Sequence, residues 1–190
     1  MKPRAQMLLR SPRKYNPSLP SSNEFTTPSL EWLQGSWFVT HSTLTMWRKA
    51  RNVQITYAII PSTSSSPELL DDTVTSTPTA RTLLPQLKAI RGIDTPDGHG
   101  GWDWRGKGWL KIASSHWEVL GWGEHEGERW VVTWFAPSLF TPAGLDLYSS
   151  RKEGMRDVLY KEIMEKLEGL EAKEMAELAK AEMRAVEIKY

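Results

Sequence analysis

Trp102–Ala136 reads WDWRGKGWLKIASSHWEVLGWGEHEGERWVVTWFA. It contains four short runs rich in aromatic and β-branched residues: Trp102–Arg105, Trp109–Ser114, His116–Gly123 and Arg129–Ala136. Such residues fit a pleated, half-buried surface. Between the runs stand Gly106-Lys107-Gly108 and Gly123-Glu124-His125-Glu126-Gly127, which are turn sequences. The pattern predicts consecutive antiparallel hairpins, and tryptophan recurs in every strand.

Further strands are predicted on both sides. Asn52–Ile60 alternates Val53, Ile55, Tyr57 and Ile59 with Asn52, Gln54 and Thr56, a period of two with one buried face. Ser36–Trp47 precedes it, entered from a short turn at Ser29–Gln34. Asp72–Thr79, Leu87–Arg91 and Leu145–Ser150 complete the set, with Pro61–Pro67 and Gly92–Gly101 read as loops. The tail then changes period. Leu159, Ile163, Leu167 and Leu170 form one helical stripe, while Glu162 and Lys166 lie on the charged side. Gly169 weakens this helix by ~1 kcal/mol relative to alanine. Eight or nine short strands followed by a helix predict a mainly β fold, an up-and-down antiparallel barrel closed on itself with a C-terminal α-helix. Residues 1–28 read as a disordered basic Pro/Ser-rich arm, 29–168 as the barrel with its flanking helix, and 169–190 as a charged helical extension.

Composition excludes several classes of function. A net charge of +1 supplies no field for nucleic acid. No cysteine is present, so disulfides, thiolate nucleophiles and cysteine metal sites are absent together, which fits a cytoplasmic location. Met7-Leu8-Leu9 is too short for a signal-peptide core, and no apolar run approaches the ~20 residues of a membrane span. The motifs of serine hydrolases, zinc proteases and phosphate-binding loops are missing. His41, His99, His116 and His125 lack close pairing, so neither metal nor cofactor is expected.

Gly35-Ser36-Trp37, opening the first strand after a short turn, resembles the G-x-W opening of lipocalins. The resemblance spans roughly residues 30–168. It implies that Trp37 plugs one end of the barrel, with an arginine after the last strand, Arg151, stacked over it. The blocks Thr40-His41-Ser42-Thr43-Leu44 and Trp102–Leu110 look like small lipocalin-like proteins of fungal secondary metabolism. Some of these are cofactor-free cyclases promoting Diels–Alder reactions on polyketide-derived chains.

Ten tryptophans exceed what a small core needs, and they suggest a ring-lined cavity or a girdle around the barrel. If Trp37 points inward, Val39, His41, Thr43 and Thr45 share its face, opposite Ile55 and Tyr57. Trp130 and Trp134 form one apolar face, and Trp102 and Trp104 another. The inward side of residues 109–123 is open: His116 lies with Glu118, Leu120 and Trp122 on one side, and Lys111 is equally undecided. His41, Tyr57, Lys111 and His116 are therefore the candidate catalytic donors. Val39, Thr43, Ile55, Trp102, Trp104, Trp122, Trp130 and Trp134 are the candidate ligand contacts. Two functions fit this cup. One is a cofactor-independent cyclase of Diels–Alder type acting on an apolar polyene in secondary metabolism, and the other is a non-catalytic carrier of an apolar small molecule. The charged C-terminal helix offers a surface for oligomerisation.

Overall fold

The computed structural model describes residues 7–15, 25–79, 88–139 and 141–190. Alternating β-formers build eight long strands: β1 (Gly35–Ser42), β2 (Ala50–Ile60), β3 (Leu69–Pro78), β4 (Lys88–Pro96), β5 (Gly101–Gly106), β6 (Ser114–His125), β7 (Glu128–Phe135) and β8 (Gly144–Ser149). Each pairs antiparallel with its sequence neighbour, and β8 returns to β1. The predicted barrel is therefore present, with eight strands in its wall. Strand β4 runs on to Pro96, so the loop predicted over Gly92–Gly101 shrinks to its second half. Leu87, the first residue of the strand predicted there, lies outside the described residues.

Trp109–Ser114 is not a strand. Residues Gly108–Ile112 form a short 3-10 turn that folds back on Gly106. A Cβ at Gly106 would lie 2.3 Å from the Leu110 carbonyl oxygen, so only glycine permits this approach.

Strand β1 follows β2 only from Gly35 to Phe38 and then diverges along β8. The C-terminal segment fills the gap. Helix α1 (Leu30–Leu33) precedes the barrel, α2 (Asp157–Glu168) and α3 (Lys173–Glu182) follow it, and β9 (Arg184–Ala185) then pairs with His41 and Ser42. Val186 N–H donates to the Thr40 carbonyl at 2.9 Å, and Asn52 N–H to that of Glu187 at 2.8 Å. The Asn52 side chain clasps the Lys189 backbone through two contacts of 2.6 Å. Asn52 takes φ of 51°, a left-handed conformation that asparagine tolerates. The extension predicted as helical over 169–190 is thus helix followed by an extended strap.

Two apolar clusters sit on opposite sides of the sheet. The inner one holds Trp37, Val39, Val53, Ile55, Tyr57, Trp102, Trp117 and Tyr148. The outer one lies between the wall (Leu120, Trp130, Val132, Trp134, Leu145, Leu147) and the helices. The predicted α2 stripe of Leu159, Ile163 and Leu167 is wholly buried there. Gly169 caps α2 rather than interrupting it. Burying each such side chain contributes roughly 1.5–3 kcal/mol. Residues 7–15 of the arm read as disordered also lie on this face. Arg10 N–H donates to the Leu120 carbonyl at 2.8 Å, and the Tyr15 ring stands edge-on to Trp134. No helix among the described residues is long and apolar enough to cross a membrane.

Candidate functional site

One end of the barrel is sealed. Trp37 is fully buried, and its Nε1 donates to the Leu33 carbonyl of α1 at 2.7 Å. Trp32 covers it with ring centroids 5.2 Å apart, and Trp122 packs on Trp32 at 4.7 Å. The guanidinium over Trp37 belongs to Arg129 at the start of β7, 4.8 Å from the ring centroid, not to Arg151. Arg129 also faces Trp32 and donates to its carbonyl at 2.9 Å. Arg151 instead has a buried Nε without a partner.

The other end opens into a cavity of about 350 Å³. Ile55, Val74, Ile90, Phe135 and the rings of Trp47, Trp104 and Trp117 supply apolar walls, with Met46, Trp109, Ser138 and Thr141 also along its lining. Trp117 stacks between Tyr57 (5.9 Å) and Trp102 (4.4 Å), forming a slab of rings beneath the cavity.

Two acids, Asp72 and Asp146, line this apolar space, and a third, Asp94, is buried behind it. Trp47 Nε1 donates to Asp146 Oδ2 at 3.2 Å, and Trp117 Nε1 to Asp94 Oδ1 at 2.7 Å. Trp104 is the indole beside Asp72 and pulls its carboxyl down. Gly92 makes that last contact accessible, because a Cβ there would lie 2.1 Å from Trp104 Nε1. Asp146 also receives the Ser42 hydroxyl, so both its oxygens are engaged. Asp72 Oδ1 and Asp94 Oδ2 are buried without partners. Burial disfavours the charged form of all three. Asp94 and Asp146 are each pushed up to about 7, against the pull of their hydrogen bonds. Asp72 rises well above the carboxylate range, through burial and then the neighbouring charges of Asp94 and Asp71. Tyr57 and Tyr148 neighbour each other, and burial raises both. Tyr57 and Tyr148 are thus neutral donors near pH 7, Asp72 is held towards its protonated form, and Asp94 and Asp146 titrate in the neutral range.

The residues singled out from sequence divide sharply. Tyr57, Ile55 and Trp104 line the cavity. Val39 and Trp102 belong to the inner core beneath it. Thr43 is buried near the mouth, its hydroxyl accepting from Leu145 N–H at 2.9 Å. Trp122 serves the sealed end, its Nε1 donating to the Thr26 carbonyl at 2.6 Å. Trp130 and Trp134 face the helices. His41 lies outside the cavity, stacked on Tyr160 of α2 at 3.9 Å. A bulge between Val39 and His41 reverses its facing, and burial lowers the imidazole to about 4. His116 also points outward. Its Nδ1 lies 2.9 Å from Asp103, and Glu118, itself paired with Arg10, is the larger influence holding it up to about 9. Lys111 is exposed on the 3-10 turn. Sequence reasoning missed Asp72, Asp94, Asp146, Tyr148, Trp47 and Trp117. The available signal was Asp146 between Leu145 and Leu147, a lone acid in an apolar strand.

The sequence matches no family model and no curated protein. Among solved structures, the fold is similar to that of apocrustacyanin C1, with a TM-score of 0.53 over 97% of this chain and 92% of that one, at 12% identity. The barrel is lipocalin-like. The cavity at the end opposite the seal is bordered by Met46 and Trp109.

Proposed function

We propose that the barrel binds one small, predominantly apolar molecule. The observation that carries this reading is the cavity itself, about 350 Å³, walled by rings and aliphatic chains and provided with a few convergent polar groups. That size and makeup are usual for a small-molecule site. The test is titration with a neutral fluorescent probe, N-phenyl-1-naphthylamine, followed by its emission. One probe should bind per chain. Ile90→Trp, which fills the cavity, should abolish binding while the melting temperature is retained. Absence of binding, or binding indifferent to Ile90→Trp, overturns the reading.

The neutral donors favour a second reading, a cofactor-independent cyclase of Diels–Alder type. In such a reaction a diene and an alkene form two carbon–carbon bonds, and no proton is gained or lost. Walls that fold a flexible polyene lower its barrier by prepaid ordering. A hydrogen bond from Tyr57 or Asp72 to a carbonyl on the alkene adds electrostatic stabilisation in a dry site. The roles first considered for His41, Lys111 and His116 pass to these two, because those three side chains lie outside the cavity. Accelerated, stereoselective cyclisation of a linear trienone supports the enzyme. Binding of the trienone at an unchanged cyclisation rate leaves a carrier.

A further inference from the structure

Asp72 lines the cavity, is 8% exposed and carries an unpartnered Oδ1. Asp94 lies on the adjacent strand, fully buried, with an unpartnered Oδ2. The register pairs Asp72 with Gly92, so Asp94 stands two residues along the same face. The groups around Asp72 are Tyr57 directly across on β2, Asp71 beside it on β3, Asp94 on β4, Trp104 on β5 and Tyr148 on β8. Asp146 is the second acid lining the cavity, and both its oxygens are already engaged. No lysine, arginine or histidine is among the described residues lining it. The nearby cation, Lys107, is already paired with Asp71 at 2.6 Å.

An acid facing an aromatic cavity, with a second buried behind it and no cation among the described lining residues, leaves a charge for the ligand to supply. We infer that the ligand carries a protonated amine, which docks against Asp72 with Asp94 behind it, while its apolar remainder fills the space among Trp104, Trp117 and Val74. The reading rests on the small-molecule site proposed above and narrows it to amphipathic amines. Charge balances simply. One carboxylate of the pair ionises against one ammonium, and the other stays protonated. A buried charge needs such a partner. The neighbouring rings add the attraction of a π face for a cation.

Matched skeletons test this. 4-Phenylbutylamine and 4-phenylbutanol are each made to displace N-phenyl-1-naphthylamine from the full chain. At pH 8 the amine should bind about tenfold or more tightly than the alcohol. The preference should fade towards pH 5 as the acids take up protons, while the alcohol's affinity changes little. In Asp72→Asn the two affinities should converge through loss on the amine side alone. Glu118→Gln, on the outer face, should leave the ratio intact. Equal affinities at pH 8, or a preference that survives Asp72→Asn, overturn the inference and leave small-molecule binding standing. Failure of the naphthylamine probe itself to bind overturns both. If Asp72→Asn fails to fold, the pH profile of the native chain decides.

Discussion

Replacing Arg129 with methionine removes a guanidinium and keeps most of the packing of its stem. Arg129 is half-buried at the sealed end. It lies 4.8 Å over Trp37 and 5.5 Å over Trp32, and donates to the Trp32 carbonyl at 2.9 Å. A hydrogen bond from a charged donor contributes roughly 1.5–3 kcal/mol. A partly shielded cation–π contact adds about 0.5–2 kcal/mol. The contacts share one group and are not additive, so the loss should be about 2–4 kcal/mol. For a chain of this length, that lowers the melting temperature by about 5–15 °C. Thermal and urea unfolding followed by tryptophan emission measure it. Arg151→Met is the comparison, because the cation over Trp37 is that of Arg129 and the buried Nε of Arg151 has no hydrogen-bond partner. A melt of Arg129→Met within about 2 °C of the native chain, or a larger loss in Arg151→Met, would refute the assignment of the cation at the plug.

Three other expectations follow from titration and topology. Asp94 is raised to about 7 from an unfolded value near 3.9, so the folded state holds the extra proton and its contribution to stability is lost as pH rises from about 4 to 7. Urea midpoints at pH 5 and 8 should therefore differ less in Asp94→Asn than in the native chain, and equal differences would contradict this. His41 behaves oppositely. Its folded value of about 4 lies below the unfolded ~6.5, so stability is lost as pH falls between these limits, and its imidazole proton resonances should titrate near 4 rather than 6.5. Removing residues 184–190 reopens the gap between β1 and β2 and takes away the apolar contact of Val186, which is 5% exposed in the intact chain. The shortened chain should melt several degrees lower and exchange the amide protons of Thr40–Ser42 faster, and unchanged exchange there would count against the strap.

The barrel was legible because most of its strands alternate and its turns are glycine-rich. The interior was much less legible, and the bulges explain part of this. Alternation carries Trp37 and Val39 inward together, but the irregularity before His41 turns the histidine to the helices. A second irregularity between Val119 and Gly121 separates Leu120, on the outer cluster, from Trp122 at the sealed end. One extra residue reverses a period of two, and no residue type announces it. Trp130 and Trp134 misled for another reason. Strands β7 and β8 are buried on both faces, so an apolar face there does not distinguish inside from outside. The acids were passed over because a polar residue in an alternating strand reads as wet. Their indole partners lie on other strands or in the segment after β1, joined to them only by the closed sheet.

The stacked Trp102 and Trp117 also give the chain an optical signature. Two indoles 4.4 Å apart are close enough for their electronic transitions to couple, and the in-plane skew between the rings sets the exciton signal this adds to the far-ultraviolet circular dichroism. Because Trp117 borders the cavity and Trp102 does not, a molecule entering from the mouth perturbs one chromophore of the pair. Occupancy of the barrel is then readable from unlabelled protein.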